Sequence, residues 1–106
     1  MTTPPVFGNV RLGRRNADRL ESWRRLIVEH CRRERLRLAS VMVDSGMSEA
    51  RRPGWTRLLD RVSSAGGDVV VVLLTLDQLS RNPVRQAEMR AQIYAAGGRV
   101  VQVQCH

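Results

Sequence analysis

Three short segments of this chain carry guanidiniums and carboxylates at spacings suited to work on a phosphodiester. The first holds Arg11 and Arg14, the second Asp44, Ser48 and Arg52, the third Asp77 and Arg81. Arginine grips phosphate oxygens through a planar fork of donors, and a cluster of such groups offsets the charge that develops on a phosphoryl group during transfer. The same side chains could instead pair with one another as an ion-pair network between loops, and residue type alone leaves both readings open. Ser48 and Ser80 add hydroxyls, yet a serine nucleophile needs a positioned base or an electrostatic site built around it, and no histidine lies nearby in the sequence. His30 with Cys31, and Cys105 with His106, are metal-ligand types in two pairs. The topology inferred below puts those pairs at opposite edges of a sheet, so neither a metal site nor any other cofactor is expected, and Cys31 reads as a core residue.

The elements that must position these groups follow from apolar periodicity. Residues 6–12 read as a first strand. Asp18 is a candidate cap for a helix in which Leu20, Trp23, Ile27 and Cys31 recur at helical spacing, with arginines on the other face and an end near Glu34. Residues 36–43 read as a second strand and 44–53 as a polar connection. Trp55, Leu58, Leu59 and Val62 mark a second helix from Gly54, closed by Gly66 and Gly67. Residues 68–74 form a nearly unbroken β-branched run, the pattern of a strand buried on both faces. After a polar stretch at 75–83, Val84, Ala87, Ala91 and Tyr94 line one face of a third helix ended by Gly97 and Gly98, and 99–104 alternate as a last strand. Trp23 and Trp55 fall on apolar helix faces and read as packing residues.

Strands alternating with helices through short connections predict an α/β fold: a three-layer open, mainly parallel four-stranded sheet flanked by helices. A lead of residues 1–5 and a single domain over 6–106 account for the chain. In such sheets chemistry gathers at the carboxyl ends of the strands, where all three charged segments fall.

Every one of the 18 basic residues is arginine, and the formal net charge is +8. That surplus suits a polyanion, because each phosphate neutralised releases condensed counterions. A compositional preference for arginine over lysine, with solvated arginine-rich helix faces, gives the same numbers without a ligand. The longest apolar run is far shorter than the roughly 20 residues of a membrane-spanning helix, and no basic-then-apolar leader opens the chain, so a cytoplasmic protein with no membrane partner is expected.

Asp44, Gly46 and Ser48, then Arg52, Pro53, Gly54, Leu58 and Leu59, then Gly67 and Asp68 before four valines, then Leu76, Asp77, Leu79 and Arg81 resemble a linked set of motifs. They are similar to the D-x-G-x-S, R-P-G-L-x-x-L-L, G-D-x-V-V-V and L-D-R-L-x-R segments of resolvase/invertase-type serine recombinase catalytic domains. Upstream, Gly8, Arg11, Leu12 and Gly13 align with the family's G-Y-x-R-V-S. The resemblance implies the resolvase catalytic-domain fold. It also implies that Arg11, Gly13, Ser48, Arg52, Asp77, Gln78 and Arg81 occupy the catalytic positions; Arg11, Arg14, Arg52 and Arg81, the arginines of the three charged segments, are the residues expected to meet nucleic acid.

In that family the serine attacks the scissile phosphate and forms a phosphoserine link to DNA. Gly13 stands in its place and has no side chain with which to attack. Gln78 replaces an arginine, and Ala17 a glutamine. The resemblance therefore implies a degenerate and truncated relative with no intact catalytic set, ending at His106 before the family's dimerisation helix and DNA-binding module. The leading expectation is an inactive, DNA-associated or regulatory pseudoenzyme whose partner is DNA, a second copy, an active recombinase or another protein. The alternatives are a protein-interaction module with no DNA role, and a DNA-nicking or phosphoryl-transfer enzyme using Arg11, Arg52, Asp77 and Arg81 with another nucleophile such as water.

Overall fold

In a computed structural model, which describes residues 5–13, 18–45 and 52–103, the five residues of strand β3, Val69–Leu73, are all buried. Val69, Val71 and Leu73 pack in one core layer, while Val70 and Val72 pack in the other. A strand sandwiched between two layers must be apolar on both faces, and each such side chain contributes about 2 kcal/mol through burial. Around it lie β1 (Val6–Leu12), β2 (Leu38–Ser45) and β4 (Gly98–Gln102) in the order β2-β1-β3-β4, with every pairing parallel.

Helix α1 (Leu20–Arg33) covers one face through Ile27 and Cys31, over Val10 and Val72. Helices α2 (Pro53–Ser64) and α3 (Pro83–Ala95) cover the other through Trp55, Leu58, Val62, Met89 and Ile93. Burial pushes the Cys31 thiol pKa upward, as expected of a core residue. The architecture is the expected three-layer α/β fold.

The pairing is uneven. β1 runs beside β2 from Val6 to Leu12, with Arg11 opposite Asp44, but it pairs with β3 only through Val6, Phe7 and Gly8. Beyond Gly8 the two central strands part, leaving a wedge at their carboxyl ends.

Four local expectations are corrected. Asp18 does not cap α1; the N-cap is Arg19 with no side-chain hydrogen bond, so packing of the apolar face carries that end of the helix. β2 starts two residues late and runs through Asp44, since pairing with β1 extends the strand past its last apolar residue. β4 closes at Gln102. On α3 the buried face holds Met89 and Ile93, whereas Val84 is 68% and Tyr94 52% exposed and Ala87 and Ala91 face solvent. Burying Met89 and Ile93 removes more apolar area from water than burying alanines would.

The end of α1 has a second feature. Leu36 N–H donates to the Cys31 carbonyl at 2.7 Å and Arg35 N–H to that of Arg32 at 3.3 Å, a Schellman closure in which Arg35, with φ +55°, holds the left-handed position usually given to glycine.

Candidate functional site

The chain passes from β1 to β2 on one side and then crosses to β3 on the other, so the order reverses between β1 and β3. A ligand site is expected at the carboxyl ends of these two strands, which is where the wedge opens.

Arg52 fills it. Its guanidinium donates from Nε to Asp44 Oδ2 at 3.1 Å, from Nη2 to Asn9 Oδ1 at 3.3 Å and to the Gln78 carbonyl at 3.2 Å, and from Nη1 to the Leu79 carbonyl. The ion-pair side chains are 4% and 6% exposed. A buried charge pair is tolerated only when its remaining donors and acceptors are also satisfied, and here the strand β1, the strand β2 and the turn after β3 all contribute.

Asp44 does further work. Its Oδ1 accepts the Gly54 N–H at 2.7 Å and its Oδ2 the Trp55 N–H at 3.0 Å, so a carboxylate at the end of β2 caps the start of α2. Pro53 at the first helical position has no N–H to satisfy. Gly54 permits the approach: a Cβ there would lie 2.9 Å from both Asp44 Oδ1 and the Val43 carbonyl. The aspartate, arginine and glycine of two adjacent motifs are thus one tertiary helix cap.

Gln78 ends the 3₁₀ turn Leu76–Gln78, and its Oε1 accepts the Arg11 backbone N–H at 2.7 Å. This bond stands where the ladder between β1 and β3 has stopped. An arginine at this position could not supply it, because guanidinium has donors only.

Asp77 and Arg81 are exposed around this turn, and Gly13 is half-buried just past β1. Ser80 is fully buried, its hydroxyl accepting the Asn82 N–H at 3.1 Å, so it offers no accessible nucleophile. Asn82 caps α3 by accepting from the N–H groups of Val84 and Arg85. Trp55 is a packing residue, as expected, with its indole N–H donating to Gln92 Oε1 at 3.2 Å. Arg14, Ser48, Ala17, Cys105 and His106 lie outside the described residues.

Arg52, Asp44, Gln78 and the Arg11 backbone are therefore brought together, while Asp77 within the 3₁₀ turn and Arg81 three residues past it are exposed. Sequence reasoning missed Asn9, which is fully buried. Its Oδ1 holds Arg52, and its Nδ2 has no hydrogen-bond partner among the described residues. An asparagine amid V-F-G-N-V-R-L was the available signal, since a polar residue within an apolar strand must find a partner.

This parallel sheet flanked by helices is the fold of serine recombinase catalytic domains. The family model described as "Resolvase, N terminal domain" matches residues 8–105, and the chain belongs to that family. No curated protein matches it. Among solved structures it is similar to the C-terminal catalytic domain of ISC1926 TnpA, an IS607-like serine recombinase, with TM-score 0.77, 17% identity and coverage of 96% of this chain and 71% of that one. It is likewise similar to the N-terminal catalytic domain of TP901-1 integrase, with TM-score 0.79, 17% identity and coverage of 93% and 76%.

Proposed function

We propose that this chain is a resolvase-type domain without strand cleavage that associates with DNA. The observation that carries the reading is the pairing of Gly13, at the position of the family's nucleophile, with an Arg52 whose guanidinium is bonded within the protein. A group holding three segments together has little freedom to follow a phosphate through transfer. Gln78 strengthens the reading, because it exchanges a cation for an acceptor that serves the backbone of Arg11. The net charge of +8 supplies the reason to choose DNA, and Arg81, exposed three residues past the 3₁₀ turn that bonds Arg52, is a described side chain open to it.

The test is retention of supercoiled and linear duplex DNA across a salt series, scored together for nicking. Retention that weakens steeply with salt, without nicking, is expected. Nicking by the wild-type protein that disappears in Arg81→Ala would overturn the inactive reading. Absence of retention even at low salt would transfer the assignment to a protein partner. A specific feature favours that second reading: the exposed Val84 and Tyr94 on α3, with Ala87 and Ala91 between them, form an apolar strip of the kind protein contacts use.

A further inference from the structure

The densest run of arginines is not at the carboxyl ends of the strands. Arg32, Arg33, Arg35 and Arg37 lie where α1 ends and β2 begins, at the opposite, amino-terminal edge of the sheet, and all four are exposed. Glu34 is the lone acid within residues 32–37, and no ion pair among the described residues involves any of the four arginines. Attraction of cations to a helix carboxyl terminus accounts for Arg32 and Arg33 in the last turn. It does not account for Arg35 and Arg37, which lie past the cap. Arg35 also holds a left-handed backbone conformation, φ +55°, that glycine would adopt without strain.

One further arginine lies along the same edge. Leu36, between the last two arginines, lines an open cleft of about 420 Å³ together with Arg99 at the start of β4. Three strand spacings separate β2 from β4, so Arg37 and Arg99 are roughly 14 Å apart along the edge. Asp68 is the acid on the cleft rim.

We propose that Arg32, Arg33, Arg35 and Arg37, with Arg99 flanking them, form a second nucleic-acid backbone surface, separate from the switch-point site. Arginine in place of lysine suits bidentate contact with phosphate oxygens. Exposed large hydrophobic residues are found at Val28, Val84 and Tyr94 and not within 32–37, which favours a phosphate backbone over a lipid surface, where apolar side chains would be inserted. The proposal rests on the DNA-associated reading for its choice of polyanion, but it places the contacts elsewhere.

The experiment measures affinity for a short labelled duplex across a salt series in three proteins: wild type; the combination Arg32→Gln, Arg33→Gln, Arg35→Gly and Arg37→Gln; and the combination Arg11→Ala with Arg81→Ala. Circular dichroism melts check that each is folded, and an all-lysine replacement of the four turn arginines preserves charge. The turn variant is expected to bind with a log–log salt slope shallower by roughly 3 to 4 units, at about 0.9 per phosphate contact, with the lysine protein near wild type. An unchanged slope in the turn variant, with a reduced one in the Arg11/Arg81 variant, would overturn this proposal and leave the proposed function standing. No duplex binding by wild type would overturn both, and binding to phosphatidylserine vesicles in place of duplex would overturn this one in favour of a membrane surface.

Discussion

At the scale of single residues, the site is organised by what Arg52 and Gln78 bond rather than by the charges they bring. Arg52→Met leaves the Asp44 carboxylate buried without its cation, and the expected cost is about 3–5 kcal/mol, read as a lower urea midpoint. Adding Asp44→Asn, which removes the orphaned charge while keeping an acceptor for α2, is expected to recover part of it. Gln78→Leu removes the acceptor bonded to the Arg11 N–H and is expected to cost about 1–3 kcal/mol. Gln78→Arg, the residue that the resemblance leads one to expect here, loses the same acceptor and is expected to lower stability similarly. A Gln78→Arg protein as stable as wild type would show that this bond contributes nothing. Sequence reasoning registered Gln78 as a lost charge. Its gain, a side-chain acceptor on the side of β1 that β3 has stopped pairing, depends on where β1 and β3 part, and no local pattern announces that.

At the scale of elements, the turn after α1 makes the clearest prediction. Arg35→Gly relieves the left-handed backbone at the Schellman position and is expected to stabilise the protein by about 0.5–1 kcal/mol, seen as a raised thermal midpoint. A lowered midpoint would mean that the arginine side chain makes a stabilising contact larger than the strain. Most elements were legible. The valine run of β3 could be little else than a central parallel strand, and the Gly66-Gly67 end of α2 was plain, with Gly66 at φ +78°. The α3 face was misread because the helix has apolar residues all round: Val84 and Tyr94 are the larger beacons in the sequence, while Met89 and Ile93 point at the sheet. Asp44 was assigned to a loop because a charged residue looks like the end of a strand, whereas β1 continues beside it.

At the scale of the whole molecule, the sheet is two pairs of strands joined at the centre by a short ladder and a plug of side chains. Local opening should reflect that construction. In native-state hydrogen exchange, Gln78→Leu is expected to accelerate the Arg11 amide while leaving the β3 amides paired beside Val6 and Phe7 near their wild-type rates. Uniform acceleration of both sets would mean that the wedge does not open separately from the rest.

The shared cap formed by Asp44, Arg52 and Gly54 changes what their presence in a chain of this kind can be taken to mean. These three hold β2, α2 and the turn after β3 in place whether or not any bond to phosphorus is ever made. A descendant that gave up its reaction would still be obliged to keep them in order to fold. Survival of the motif is thus a signature of ancestry and architecture, and by itself it says nothing of whether a reaction is still carried out.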